Sequence, residues 1–381
     1  MEVDTLEPLR RPPFAKVVAE LEKLMSQSNR AFLLGAGCSH CAGLPLTTQL
    51  TEQVADILKS DEPANTILAA IKDRFKGSKT ATIEDYMSEL VDLLAIAGRR
   101  EQSKASTCTV SCGASEYSAS ELRTVLDKIK SAVEGIFRAG ELDVSVHWNF
   151  IKAVHETLRS GKATTDRPVD YFVLNYDNMI EDALALQRLL YTDGFCGGKT
   201  GWWDPNCYKR TGLDARVLKV HGSIDWCQFK GEPLPRRVSD KLKLDAIEER
   251  VMIWPAATKY RETQRDPYAQ IIATMRGSLR PSKNSEVVLA MCGYRFEDAH
   301  INLEINNALH ESEKALTLLV FTEQTEPAGQ IEKWFKDVAV NEQVLIYGKR
   351  GFFHGALAHK STEDLPWWKF EVLTRLLGGE R

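Results

Sequence analysis

The sequence predicts a doubly wound α/β fold, a parallel sheet covered by helices on both faces, and three observations carry that reading. Short apolar runs at 31–34, 169–174, 217–220, 287–292, 316–321 and 344–347 have the length and near-continuous hydrophobicity of strands buried on both sides. Segments with apolar residues at helical spacing alternate with them, as the crossovers of a parallel sheet require. Several of the runs end in turns rich in glycine or polar side chains, and beyond such strand ends an open sheet binds its ligands.

Taken in order, Phe14, Val17, Val18, Leu21, Leu24 and Met25 set an amphipathic helix over 14–29 that leads into the strand 31–34. Pro45, a good first-turn residue, opens a second helix over 46–58 with Leu50, Val54 and Leu58 on one face. Beyond it the strand signals stop. One helical stripe runs from Ile83 through Met87, Leu90 and Leu94 to Ala97, another from Leu122 through Val125, Ile129 and Val133 to Phe137, and a third through Trp148, Ile151, Val154 and Leu158. These predict an α-helical insertion at 61–164 that splits a core made of 1–60 and 165–350. Within it, 103–120 is rich in Ser, Thr, Ala and Gly and predicts a mobile loop. The glycine- and tryptophan-rich 190–215 predicts an irregular segment, 344–347 a last strand, and 351–381 a C-terminal helical tail. Trp367, Trp368 and Phe370 suit that tail to packing on the body or on another subunit.

Composition narrows the function classes. With 381 residues, 43% hydrophobic and 27% charged, the chain can bury a large core, and no apolar run has the length of a membrane span. Met1-Glu2-Val3-Asp4 lacks the basic-then-apolar pattern of a signal peptide, which predicts a cytoplasmic protein. A net charge of −4 argues against a nucleic-acid backbone as the main ligand, and the basic residues Arg236, Arg237, Lys241 and Lys243 read as a solvated face. Of the eight cysteines only Cys38 and Cys41 have metal or redox spacing, without a second such pair to complete a four-thiolate site. Both fall inside a glycine turn and read as small packing residues.

That turn, Gly35-Ala36-Gly37-Cys38-Ser39-His40-Cys41-Ala42-Gly43-Leu44-Pro45, follows the first strand and has the tight glycines of a nucleotide-binding start. A helix directly after it would present free N–H groups and its dipole to a pyrophosphate. His40 occupies the place of the third glycine of the dinucleotide fingerprint, and Gly43 comes three residues later. The strand 169–174 ends in Asn175-Tyr176-Asp177-Asn178. Asp177 is suited to capping the following helix, whereas a strand tip has no structural need for the carboxamide of Asn175. The strand 217–220 ends in His221-Gly222, where an imidazole of ordinary pKa about 6.5 would exchange protons near neutrality, or serve as a packing residue. The strand 287–292 ends in Gly293-Tyr294-Arg295-Phe296-Glu297-Asp298.

The four stretches 35–45, 174–184, 220–226 and 293–302, in this order and spacing, resemble a sirtuin-like domain, and most nearly the sirtuin-like proteins of bacterial antiphage defence. The resemblance implies a Rossmann-like fold that takes NAD. Gly35, Ala36, Gly37 and Ser39, with Gly43 and Leu44 of the same motif, would hold the dinucleotide. Gly293 and Tyr294 would line its far side, and Thr322 and Glu323 would approach the adenosine. It further implies that Asn175 and His221 are catalytic and that Asp177 lies near the nicotinamide.

Two departures shape the expected reaction. Where the deacylases of the family carry an aspartate-phenylalanine-arginine segment after the glycine-proline turn, this chain has Leu46-Thr47-Thr48; where they carry a four-cysteine zinc ribbon, only Cys227 and Cys292 follow the His-Gly turn. No zinc ribbon and no bound metal are therefore expected. Without that small domain an acyl-lysine cleft is in doubt, and water becomes the expected acceptor. The expectation is an NAD hydrolase, with NAD as substrate, releasing nicotinamide and ADP-ribose or a cyclised relative. The alternatives are an NAD-dependent deacylase and a nucleotide-binding assembly subunit without catalysis. By the same resemblance the chain is expected to form homo-oligomers without a membrane, to pair with a HerA-like hexameric ATPase, and to take nucleic acid as a candidate trigger.

Overall fold

The computed structural model describes residues 5–26, 29–77, 80–159, 167–238, 245–253, 266–281 and 285–380. Its helices in chain order are α1 (Phe14–Met25), α2 (Thr47–Leu58), α3 (Glu62–Arg74), α4 (Ile83–Gln102), α5 (Ala119–Arg138), α6 (Ser145–Arg159), α7 (Met179–Leu186), α8 (Tyr268–Leu279), α9 (Ala299–Glu311), α10 (Gly329–Lys336) and α11 (Phe370–Leu377). The strands begin with β1 (Arg30–Leu34), β2 (Val110–Cys112), β3 (Ser115–Tyr117), β4 (Val169–Val173), β5 (Tyr191–Thr192), β6 (Phe195–Gly197), β7 (Gly201–Trp203) and β8 (Ala215–Lys219). They continue with β9 (Gly222–Phe229), β10 (Arg236–Arg237), β11 (Ile247–Ile253), β12 (Val287–Cys292), β13 (Leu316–Thr322), β14 (Val344–Gly348), β15 (Gly351–His354) and β16 (Leu357–Lys360).

The main sheet has the order β16-β15-β14-β13-β12-β1-β4-β8-β5 and is parallel from β14 to β5, so the predicted doubly wound class is the observed one. Successive side chains of a strand point to opposite faces. In β1 this sends Phe32 and Leu34 into a core with α1, α6, α7 and α11, and Ala31 and Leu33 into a second core with α8 and α9. Both faces are covered, which is why the strands read as unbroken apolar runs rather than alternating ones. A third core joins α2 to α5 with Val110, Cys112 and Tyr117, and it also takes in Ala42, Leu44 and Tyr176 from the sheet's loops and Met179 from the start of α7.

Several expectations need correction. The glycine turn does not run straight into a helix: two 3-10 turns, Ala36–Cys38 and His40–Ala42, intervene before α2 begins at Thr47. The first helix ends at Met25, and 27–28 lie outside the described residues. The expected mobile loop at 103–120 holds the hairpin β2–β3, pinned by burial of Val110, Cys112 and Tyr117 under α3 and α4. The segment 190–215 supplies β5, β6 and β7. The last two join β9, β10 and β11 in an antiparallel sheet that sequence periodicity did not announce, because its strands are two to eight residues long and irregularly buried. Beyond 344–347 the hairpin β15–β16 adds two antiparallel edge strands. The tail packs on the body, with Trp367 and Phe370 buried in the core of α1 and α6. Of the basic residues read as a solvated face, Arg236 pairs with Glu232 and Arg237 with Asp193, while Lys241 and Lys243 lie outside the described residues.

The glycines of the turn after β1 have a structural role visible in their surroundings. A Cβ on Gly35 would lie 2.4 Å from the carbonyl oxygen of Gly293, and one on Gly37 2.8 Å from its Cα. The loops after β1 and β12 therefore touch backbone to backbone, and Gly293 itself has φ +67°, a conformation that side chains disfavour. Gly35→Ala is expected to destabilise the chain by roughly 1–3 kcal/mol, the usual cost of overpacking where the neighbour is backbone and has no rotamer to change. Urea unfolding against Gly198→Ala, whose added Cβ meets nothing within 4 Å, provides the comparison.

Candidate active site

The loops that follow β1, β4, β8 and β12 meet at the carboxyl edge of the sheet, where the order of connections reverses and a crevice opens. The cleft there is lined by Gly35, Ala36, Ser39, Leu44, Leu174, Asn175, Tyr176, Asp177, His221, Gly293, Tyr294 and Asp298 from the sheet's loops. Its other wall comes from the helical part of the chain, with Leu50 on α2, Thr82–Asp85 at the start of α4 and Phe137 on α5.

Asn175 is buried, and its Nδ2 donates to Ser39 Oγ at 2.6 Å. One end of the carboxamide is thus anchored, while the other, Oδ1, has no hydrogen-bond partner. Asp177, also buried, accepts from the N–H of Met179 through Oδ1 at 3.1 Å, the capping role expected for it, and leaves Oδ2 without a partner. A buried polar atom without a partner costs free energy, and a ligand hydroxyl or amide would offset that cost. His221 is buried, with Nε2 3.8 Å from Asp298 Oδ1 and its ring 5.8 Å from that of His300. The cleft is acidic: Glu84, Asp85, Asp177, Glu297 and Asp298 line it against Arg295. Such a lining favours positive charge in whatever it holds.

Beneath the cleft lies a buried ionic layer. Lys219, the last residue of β8, is 1% exposed; it donates through Nζ to the carbonyl of Asp177 and lies 3.5 Å from Glu181 Oε1. Burial pushes the Glu181 carboxyl up to about 7, against the pull of Lys219. Burial also raises Asp182 and Asp193, the latter against Arg237. Around this layer Asn178 bridges β9, donating to Asp225 Oδ2 at 3.1 Å and accepting from Ser223 Oγ at 2.9 Å. The loop holding Asn175 and Asp177 is therefore clamped from below and from the side.

The structure brings Gly35, Ala36, Ser39, Leu44, Asn175, Asp177, His221, Gly293 and Tyr294 together around one cleft. Gly37 packs against Gly293 behind it, and Gly43, at φ +93°, closes the second 3-10 turn. Thr322 and Glu323 stand at the end of β13, two strands from β1, outside the lining; Thr322 Oγ1 accepts from Gln324 N–H and Glu323 is exposed. The N–H groups of Gly35, Gly37, Cys38 and Ser39 bond to Cys292 O, Gly293 O, Gly35 O and Ala36 O, so most of this turn's donors serve the fold. Cys38 and Cys41 are packing residues: each thiol donates to a backbone carbonyl, and burial raises both. Cys227 lies in β9 and Cys292 at the end of β12, in different sheets. Among the described residues Cys196, Asp204 and Cys207, and His221, Asp298 and His300, are grouped closely enough to hold a metal ion.

Local sequence pattern does not point the wall residues Leu50, Thr82 to Asp85 and Phe137 toward a cleft. The start of α4 has a sequence signature, the capping box of Thr82 and Asp85, with Thr82 N–H donating to Asp85 Oδ2 at 2.9 Å. The cap marks a helix start but not the direction it faces. Tyr176 OH, 3.3 Å from Glu84 Oε1, ties the wall to the loop after β4.

Residues 170–341 match the model of the SIR2-like domain family. The matched stretch carries Asn175, Asp177, His221, Gly293 and Tyr294, and the glycine turn at 35–45 precedes it. Among solved structures, a Sir2 homologue in complex with NAD is 11% identical, with 95% of this chain and 93% of that chain covered and a TM-score of 0.42. No curated protein matches the chain. Among the described residues no helix is long and apolar enough to cross a membrane.

The ionic layer under the cleft predicts a pH dependence. A glutamate in the unfolded chain titrates near about 4.3, whereas Glu181 in the fold holds its proton to about 7. Its proton therefore stabilises the fold fully below the unfolded value, and that contribution is lost as pH rises from about 4.3 through about 7. Urea unfolding of the wild type should show this decline, and Glu181→Gln should flatten it, most visibly between pH 6 and pH 7, where an unshifted glutamate no longer titrates. An unchanged slope in the variant would place the titration elsewhere.

Proposed function

We propose that this cleft binds NAD and that the chain is an NAD hydrolase which cleaves the bond between nicotinamide and ribose. The observation that carries the reading is the carboxamide of Asn175, fixed at one end by Ser39 and without a partner at the other, beside His221 in a SIR2-like segment. The residues present fit the ligand. A ribose offers hydroxyls for the free end of Asn175, and Ala36, Ser39 and Leu44 with Gly293 and Tyr294 would hold the dinucleotide, whose adenosine end would run toward Thr322 and Glu323. Bound NAD would supply a glycosidic bond whose cleavage leaves positive charge on the ribose.

In this reading Asn175 orients a ribose hydroxyl or the attacking water. His221 accepts the proton of that hydroxyl or water, with Asp298 on its Nε2 side to favour the imidazolium that results. Asp177 and the acidic lining stabilise the positive charge that develops. The wall from α2, α4 and α5 shields the reacting centre from bulk water. The proposal extends, on the sequence resemblance, to a cytoplasmic homo-oligomer that depletes NAD in antiphage defence and works with a HerA-like ATPase partner, nucleic acid being a candidate trigger.

Nicotinamide release from NAD by the purified chain is expected, alone or with a candidate ATPase and DNA. Asn175→Ala and His221→Ala are each expected to lower it by about 100-fold or more, the usual contribution of a positioned proton acceptor, with the fold retained by circular dichroism. NAD that binds and survives under every condition would leave the binding-subunit reading in place. Deacylation of an acyl-lysine peptide faster than hydrolysis would leave the deacylase.

A further inference from the structure

Away from the cleft, at the outer end of the antiparallel sheet, two cysteines face each other. Cys196 is on β6 and half-buried; Cys207 is in the 3-10 turn Pro205–Lys209 and fully buried. Their Sγ atoms are 2.9 Å apart. Arg210 Nη2 donates to Cys196 Sγ at 3.1 Å, and Asp204 Oδ2 lies 3.7 Å from the same sulfur. Asp204 is held in place by its own contacts: Oδ1 accepts from the backbone and side-chain amides of Asn206, and its N–H donates to Gly194 O at 2.8 Å. The two sulfur-bearing segments are thus fixed against one another by backbone hydrogen bonds and by the aromatic cluster of Phe195, Trp203 and Tyr208 beneath them.

We propose that Cys196 and Cys207 are a reversible dithiol–disulfide pair in which Cys196 is the sulfur that meets the oxidant and Cys207 the resolving thiol. The asymmetry of the surroundings assigns the roles. Cys196 is half-buried and open to an oxidant, whereas Cys207 is fully buried. An accessible cysteine beside a resolving one is the arrangement of redox-sensing sites.

With a hydroperoxide as oxidant the Cys196 sulfur gives its proton to solvent and attacks the terminal oxygen, the O–O bond breaks, and hydroxide or alkoxide leaves with a proton from solvent. Cys196 is then a sulfenic acid. The Cys207 sulfur attacks it, gives up its proton, and displaces water as the S–S bond forms. Two thiols are oxidised by two electrons and one peroxide is reduced. The sulfurs must approach by roughly 0.9 Å to reach the bonded distance of about 2.05 Å. A shared tetrahedral zinc ion would instead require them to separate, since ligands at about 2.3 Å from the metal stand roughly 3.8 Å apart. The spacing therefore favours the disulfide over a metal held by Cys196, Asp204 and Cys207.

The test uses the full chain, reduced, desalted and exposed to hydrogen peroxide, then alkylated and mapped by mass after trypsin, which cuts after Lys199 between the two cysteines. The expected product has lost two of its eight thiols, is lighter by two hydrogens, carries the Cys196–Cys207 cross-linked peptide, and returns to the starting mass with dithiothreitol. Cys207→Ser should stop at a dimedone-reactive sulfenic acid on Cys196. Three results would overturn the proposal: over-oxidation of Cys196 without a cross-link, a cross-link between other cysteines, or one equivalent of zinc that protects both thiols from alkylation. The outcome is independent of whether the cleft hydrolyses NAD.

Discussion

The close approach of two backbone turns is the constraint on which the rest of this molecule depends. Gly35 and Gly37 lie against Gly293, and the N–H groups of Gly35 and Gly37 bond to Cys292 O and Gly293 O at 3.0 and 3.1 Å. That contact joins the ends of neighbouring strands β1 and β12 and fixes the course of the chain from Gly35 to Leu44. Ser39 is placed by it, and Ser39 in turn anchors Asn175. A side chain at either glycine would force the turns apart, and the carboxamide would lose its support before any functional group was touched.

A second layer of control is electrostatic. Lys219, Glu181 and Asp177 form a buried group in which the lysine both pairs with a carboxyl and holds the carbonyl of the loop above it. Removing one member of such a group leaves the other charged or polar without solvent, a larger penalty than the net worth of the pair. The arrangement keeps the loop after β4 in one conformation. It also places acidic groups below and around the cleft, a field that favours positive charge in what the cleft holds.

The helical part of the chain closes the cleft rather than standing apart from it. Tyr176 and Met179, from the loop and helix after β4, belong to the same core as α2 to α5, and Ile83 N–H donates to Thr51 Oγ1 at 2.8 Å, tying α4 to α2. A wall built into a shared core holds its position at the cleft as firmly as the sheet does. Helix α6 goes the other way: Phe150, Ile151 and Val154 pack with α1 and α11 on the sheet.

By itself the sequence determined the parallel sheet and the order in which polar and glycine-rich ends follow its strands. Burial on both faces leaves an unbroken apolar run, against which a carboxamide or imidazole at its end stands out. The helical stripes of α4 and α5 were equally plain, because a 3.6-residue period survives over 20 residues each. Only the tertiary structure decided the rest. The antiparallel sheet and the β2–β3 hairpin are made of strands too short to carry a period. Their stability comes from partners distant in the chain, such as Arg237 with Asp193. The use of the glycine turn's N–H groups within the fold, the role of Glu84 opposite Tyr176, and the meeting of Cys196 with Cys207 depend on distances between separate segments. Local pattern carries no information about those distances, since each is set by how the packed cores bring the segments together.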